Sequence, residues 1–385
     1  MSKDFNRKLS LFMPAFSSPI LDTLLQLEHL RSMTLEGTTP PQVFYQLKSL
    51  FHTLESLGSA RIEGNRTTLA QYLEVTESKS PLGEAEQYKE IANIEKALAY
   101  VDEAMEDGAD ISLQFIRELQ SIVVSDLIKE GDLNAGAFRD CPVFISGSSH
   151  IPPDPILVPE LMEDLVNFIR ANDPPKFDLI KVALVHHRFG WIHPFRNGNG
   201  RTVRLLTYAM LLKYGFNVNT AGRILNPTAV FCSNRDKYYE MLSLADEGTE
   251  EGIEAWCTYV LNGILEEREK LDILVDYEQV KEKILFPAIR NALNKGLISI
   301  EDEKVLILSI NKKNISASDV VEALNIKSTS ATYRLRRLRD DNLLKPVQEG
   351  KRQYCLKFSS PKLIYGIIDA LNQNNLIPST LLKDA

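Results

Sequence analysis

The sequence predicts a mostly α-helical protein with one small β-hairpin set into the helices and a separate helix-and-ribbon unit toward the C-terminal end. Three observations carry this. Apolar residues return every three to four positions through most of the chain before residue 300. Between Gly131 and Pro159 that rhythm breaks into β-branched, small and proline-rich sequence. After Ile300 three short helical patterns give way to alternation around a Gly-containing turn.

Ile20 to Arg31 carries Leu24, Leu25 and Leu27, and Gln42 to Leu57 carries Phe44, Leu47, Leu50, Phe51 and Leu54, with Pro40-Pro41 as the break between two helices. Glu84 to Glu106 repeats the pattern through Tyr88, Ile91, Ile94, Leu98 and Val101. After Asp107-Gly108, Ile111 to Leu127 repeats it again. Val143, Phe144 and Ile145, then Ser146-Gly147-Ser148-Ser149, then Ile151-Pro152-Pro153-Asp154-Pro155 read as a hairpin with a small-residue turn and a proline exit. Helical spacing resumes through Leu161 to Ile169, Leu179 to Phe189, Arg201 to Tyr214 and Arg235 to Leu244. The last unit reads as helices over Val305 to Ile310, Ser316 to Leu324 and Thr329 to Leu343. A ribbon of Leu344 to Val347 and Gln353 to Leu356 follows, which together describe a winged helix.

At 385 residues the chain is too long for one hydrophobic core, so two or three units are expected. A net charge of −8 excludes a bulk polyanion binder. Between residues 301 and 358, however, 12 lysines and arginines face 8 aspartates and glutamates, so the basic balance is local to the terminal unit. Cys141, Cys232, Cys257 and Cys355 are too scattered for a zinc site or a disulfide framework. With no long apolar run and no leader pattern at Met1 to Arg7, the expectation is a cytoplasmic protein that does not enter a membrane.

The chemistry concentrates at His193-Pro194-Phe195-Arg196-Asn197-Gly198-Asn199-Gly200-Arg201. The proline disfavours helix at His193 and places it in an extended or turn conformation at a helix end. Gly198 and Gly200, interleaved with asparagines just before a helical run, let backbone N–H groups converge at a helix N-terminus, where anions bind. Arg201 and Arg204 are three apart and can reach one polyphosphate. A base, an anion nest and two arginines within a dozen residues are what phosphoryl or nucleotidyl transfer needs. His193 beside Pro-Phe would alone read as structural; inside the whole pattern it reads as a base.

Residues 193 to 204 resemble the signature of the Fic family, His-Pro-Phe-x-x-Gly-Asn-Gly-Arg-x-x-Arg, at every defined position. The resemblance implies a helical Fic core acting as a protein adenylyltransferase, which moves AMP from ATP to a Ser, Thr or Tyr hydroxyl of a target protein, itself included. It implies His193 as general base, Phe195 as a buried anchor and Asn197 as the Mg2+ ligand. Gly198, Asn199 and Gly200 would hold the α- and β-phosphates, Arg201 the β-phosphate and Arg204 the γ-phosphate, with Thr202 and Val203 completing the nucleotide-binding set. Asn197 stands where many members carry Asp or Glu. The 143 to 155 hairpin is similar to the family's target-clamping flap. Tyr238, Tyr239 and Asp246 lie in a stretch similar to its adenine and ribose side, and the two tyrosines read equally as packing residues.

Upstream, Ser59-Ala60-Arg61-Ile62-Glu63-Gly64 places Ser59 and Glu63 four apart on a helical face, with Gly64 suited to end the helix in a left-handed turn. It is similar to the family's inhibitory helix, which implies that Glu63 pairs with Arg204 and restrains the enzyme. The expected units are thus 1–110 with the inhibitory helix, 111–270 the catalytic core, 271–299 a helical linker and 300–385 the winged helix. Two rival readings stay open. Glu63 could orient water to remove AMP from a modified protein. Alternatively, the terminal unit, through Arg334, Arg336, Arg337 and Arg339, could make the chain a DNA-binding regulator with a nucleotide-sensing core; protein docking or homodimerisation is the other use for that unit.

Overall fold

The computed structural model describes residues 9–32, 37–78, 85–106, 108–129, 131–145, 148–216, 229–348 and 350–378, with the side chains of 32, 77, 78, 268, 269 and 271 outside the description. The N-terminal region holds α1 (Ile20–Ser32), α2 (Pro41–Ile62), α3 (Leu69–Ser78) and α4 (Glu86–Ala104). The middle holds α5 (Leu113–Val123), α6 (Val158–Arg170), α7 (Asp178–Ile192), α8 (Asn199–Lys213), α9 (Ala229–Cys232), α10 (Arg235–Asp246) and α11 (Glu250–Val275). The C-terminal part holds α12 (Tyr277–Val280), α13 (Phe286–Asn294), α14 (Ile300–Lys312), α15 (Ala317–Leu324), α16 (Ser328–Asp340), strands β1 (Leu344–Pro346) and β2 (Tyr354–Leu356), and α17 (Ile364–Gln373). A five-residue π turn, Lys281–Leu285, joins α12 to α13.

Helix ends follow local chemistry. Pro41 opens α2 at a position where its missing N–H costs nothing. Ser112 accepts from Phe115 N–H at α5, and Asn234 accepts from Lys237 N–H at α10. Ser299 with Asp302 and Ser316 with Asp319 form capping boxes at α14 and α15.

From Leu179 to Phe189, α7 is buried on every side, as a central helix must be. It packs against α6, α8 and α11, while α8 also meets α2, α4 and α5. Trp256 on α11 is fully buried and donates its indole N–H to Ala183 O at 2.7 Å, locking α11 to α7. Almost all of α8 is buried too, including Arg201, Thr202, Arg204 and Thr207, so polar groups in the core need partners.

The sheet departs from expectation. Among the described residues the only strands are β1 and β2, paired antiparallel with Leu344 opposite Leu356, and an isolated bridge joins Ile315 to Tyr354. Residues 143–145 and 151–155 form no paired strands, and Ser146 and Gly147, the expected hairpin turn, lie outside the described residues. Pro142, Pro152, Pro153 and Pro155 each lack a ladder donor, and Phe144 and Ile151 stand exposed, so these two arms have no layer to pack on. The terminal ribbon instead docks on α2: Gln46 donates to Leu356 O at 3.0 Å and accepts from Phe358 N–H at 3.1 Å.

All four cysteines are free. Among the described residues no helix is long and apolar enough to cross a membrane.

Candidate active site

The segment from 193 to 198 links α7 to α8 and brings the signature residues together. His193 caps α7 in the left-handed region (φ 49°, ψ 60°), so of the extended and turn conformations open to the residue before Pro194 the structure takes the turn. A non-glycine residue held there is strained, and its surroundings fix it. His193 N–H bonds Phe189 O at 3.0 Å, and its own carbonyl accepts from Arg139 Nε at 2.8 Å.

The imidazole of His193 is oriented by Gly190 O, 3.3 Å from Nδ1. A carbonyl only accepts, so Nδ1 carries the proton and Nε2 keeps its lone pair. Burial lowers the pKa of the ring to about 4, leaving it neutral near pH 7.

Gly198 is the N-cap of α8 at φ +77°, and a Cβ there would lie 2.8 Å from Val124. Only glycine meets both demands. The first intrahelical bond is Thr202 N–H to Gly198 O at 2.9 Å, so the amides ahead of it point out of the helix end. Thr202 Oγ1 also donates to Gly198 O at 2.8 Å, and Val203 is buried, so these two side chains are taken up in building the helix. Asn199 is likewise committed: its amide donates to Phe195 O at 2.8 Å and accepts from Phe195 N–H at 2.9 Å. Phe195 is fully buried between Phe138 and Phe189.

The two arginines meet carboxylates. Arg204, 1% exposed, donates Nη2 to Glu63 Oε1 at 2.7 Å and to Ser59 O at 2.9 Å, and Nε to Ser59 Oγ at 2.8 Å. Arg201 donates Nη1 to Glu90 Oε1 at 2.8 Å. A Cβ placed on Gly200 would sit 2.2 Å from Glu63 Oε1, so the carboxylate lies directly on the nest. Burial alone would raise the Glu63 carboxyl, yet Arg204 and then Arg201 hold it below its ordinary range. Glu63 reaches this point because α2 ends in a Schellman turn. Asn65 N–H returns to Ala60 O and Gly64 N–H to Arg61 O, with Gly64 at φ +104°.

Asn197 donates Nδ2 to Gly131 O at 3.2 Å, and its backbone carbonyl accepts from Gln120 Nε2 at 3.1 Å. No group of three His, Cys, Asp or Glu able to hold a metal occurs among the described residues. Asn197 Oδ1 is thus a single neutral oxygen, which suits Mg2+ only as an ion that arrives with phosphates and keeps its waters.

Tyr238, Tyr239 and Asp246, expected on the adenine and ribose side, each have a partner inside the chain. Tyr238 is 3% exposed and gives its hydroxyl to His186 Nε2 at 2.8 Å, while His186 Nδ1 bonds Thr207 Oγ1 at 2.7 Å. It is therefore a core residue. Tyr239 is the exposed member, with the Arg235 guanidinium 5.4 Å over its ring. Asp246 is taken by His187 Nε2 at 2.8 Å.

Three residues escaped the sequence reading. Arg139, 2% exposed, ties His193 O to Pro153 O (2.6 Å) and Cys141 O (3.2 Å), clipping the chain at Cys141 and Pro153 to the histidine loop. Glu90 and Asn65 sit behind Arg201: Asn65 Nδ2 donates to Glu90 Oε2 at 2.8 Å. Nothing local in the sequence marks them.

Residues 110–211 match the Fic/DOC family profile. The chain carries a Fic domain. The signature falls inside the matched range; Ser59 to Gly64 and the terminal unit fall outside it. Curated relatives include the protein adenylyltransferase Fic of Drosophila virilis, 30% identical over 200 residues covering 51% of this chain and 38% of that protein. The same-named protein of Nematostella vectensis is 31% identical over 201 residues, covering 49% and 42%. The chain thus spans well under half the length of these relatives. In fold it is similar to a Fic family protein from Desulfovibrio desulfuricans (TM-score 0.53, 18% identity, 90% of this chain and 98% of that one). It is also similar to a Fic domain containing signaling protein from Bacteroides thetaiotaomicron (TM-score 0.52, 22% identity, 64% and 95%).

Proposed function

We propose that the protein is an adenylyltransferase that moves AMP from ATP onto a Ser, Thr or Tyr hydroxyl of a protein, its own chain included, and that Glu63 restrains it. The observation that carries this reading is the Glu63 carboxylate lying on Gly200 and bonded to Arg204, an anion occupying a phosphate-shaped place. In the reaction, His193 Nε2 accepts the hydroxyl proton as the oxygen bonds the α-phosphorus, and the bond to the β-phosphate oxygen breaks to release pyrophosphate. The α8 amides and Arg201 and Arg204 offset charge on the phosphates. Magnesium, entering with ATP against Asn197 Oδ1, would neutralise phosphate charge.

Glu63 accounts for restraint by simple competition: the γ-phosphate and Glu63 need the same guanidinium. The curated relatives named protein adenylyltransferase support the donor and the class of acceptor. Mass spectrometry of the purified chain incubated with ATP, Mg2+ and lysate tests the proposal. Added AMP on a protein hydroxyl supports it; loss of AMP from a pre-modified protein with no gain supports the reverse reaction at the same site.

We read the three helices α14 to α16 and the β1–β2 ribbon as a winged helix. Exposed Tyr333, Arg336 and Arg339 on α16 favour a second reading in which this unit contacts DNA. Arg334 and Arg337 are turned onto Asp302 of α14, while Arg336 and Arg339 meet Asp340 of their own helix.

A further inference from the structure

We infer that Asn65 is a latch for the restraining segment and that Glu90 is a positioning residue for Arg201, one carboxylate serving both. This rests on the reading of Glu63 as the restraint.

Glu90 is 9% exposed and projects from α4, an element with no part in the signature. Its two oxygens are divided: Oε1 accepts from Arg201 at 2.8 Å and Oε2 accepts from Asn65 at 2.8 Å. A carboxylate held at both oxygens in a buried setting keeps one orientation, so the Arg201 guanidinium is held with it. Breaking a hydrogen bond between buried charged groups is costly, and an arginine meant to meet a phosphate benefits from being fixed beforehand.

Asn65 is anchored four ways. Its amide donates to Glu90 Oε2 and to Gln87 O at 2.8 Å, its Oδ1 accepts from Thr67 N–H at 3.0 Å, and its own N–H closes the turn on Ala60 O at 3.1 Å. It stands two residues after Glu63. Between them Gly64, at φ +104° with no atom within 4 Å of a would-be Cβ, is the point where the chain can pivot. The contrast in exposure assigns the roles: the Glu63 side chain is 28% exposed against 12% for Glu90, so Glu63 can be displaced by a phosphate while Glu90 stays. Glu63 is then held over the nest from behind, by a bond to the partner of one of the arginines it guards.

The test measures kcat and KM for ATP in AMP transfer by the full chain, with Asn65→Ala and Glu90→Gln each placed in the wild type and in Glu63→Gly. Asn65→Ala is expected to raise kcat on the order of tenfold in the wild type, the worth of one hydrogen bond to a charged group, and to leave kcat unraised in Glu63→Gly, where loss of the bond to Glu90 Oε2 shows only as a higher KM for ATP. Asn65→Asp, which sets two carboxylates together, should act in the same direction. In Glu63→Gly, Glu90→Gln should raise KM for ATP about tenfold with a smaller change in kcat, and Glu90→Asp, which keeps the charge, should recover part of it. An Asn65→Ala protein no faster than the wild type, or equally altered in both backgrounds, overturns the latch while Glu63→Gly remains fast. An unmoved KM in Glu90→Gln overturns the positioning role. A Glu63→Gly protein no faster than the wild type removes the restraint itself and the latch with it.

Discussion

At the scale of single residues the site is an arrangement of two ion pairs, Arg204 with Glu63 and Arg201 with Glu90, and one neutral base. His193→Ala should abolish AMP transfer while ATP binding, measured by its melting shift, stays close to wild type, because the nest and not the imidazole holds the phosphates. Since burial lowers the His193 pKa to about 4, the base remains neutral down to mildly acidic pH. The acid limb of kcat/KM should therefore fall well below the ordinary histidine value of about 6.5; a limb near 6.5 would contradict this environment. Among the described residues, Glu63→Gly leaves Arg204 with its two Ser59 bonds. Breaking a buried pair costs about 3–5 kcal/mol, but Glu63 is partly exposed and Ser59 still supplies two oxygens, so about 1–2 kcal/mol of lost stability is expected in the free protein. ATP should restore more stability to this variant than to the wild type. Ser59, Glu63 and Gly64 were legible because helix spacing and a C-terminal glycine place them together within six residues. Glu90 was not, because its bond to Arg201 spans 111 positions and depends on where α4 packs.

At the scale of elements, capping and apolar spacing made most helices readable, including α2, α4 and α7, with ends shifted by a few residues. The start of α8 moved to Asn199, ahead of the expected Arg201, because Gly198 takes the N-cap in a left-handed conformation. The short α3 and α9, the long α11 and the terminal α17 went unread, although Leu363, Ile364, Ile367, Ile368 and Leu371 carry the helical spacing of α17. The hairpin expected at 143–155 was inferred from β-branched residues and a small-residue turn, but prolines and exposed Phe144 and Ile151 leave its arms unpaired. Arg139 fixes the base of that segment, so Arg139→Ala should cut transfer to a protein target by about tenfold or more while changing ATP affinity little; an equal loss of ATP affinity would place its effect on the nucleotide side instead. For α16, Arg334 and Arg337 are tied across to Asp302 on α14, whereas Arg336 and Arg339 meet Asp340 within the same exposed helix, which makes the latter two the arginines to test against DNA. In a salt titration of DNA binding by the full chain, Arg336→Glu with Arg339→Glu should flatten the slope, whereas an unchanged slope favours protein docking.

At the scale of the whole molecule, a Fic domain places its nest and base at the junction of α7 and α8, and the N-terminal region reaches over it through α2. The Gln46 bonds to Leu356 and Phe358 put the terminal ribbon against the opposite end of that same helix. The helical class and the signature were visible in the sequence because both are local. The way α2, α4 and the 139–155 segment converge on the signature was not, since it is set by packing across long separations. The central claim is that Glu63 withholds Arg204 from ATP while His193 stands ready as base. AMP incorporation by the wild type, Glu63→Gly, and Glu63→Gly combined with His193→Ala, in parallel with ATP and Mg2+, tests it most directly. Faster incorporation in Glu63→Gly that vanishes in the double variant is the result predicted; incorporation no faster than the wild type, or a double variant as active as Glu63→Gly, would contradict it.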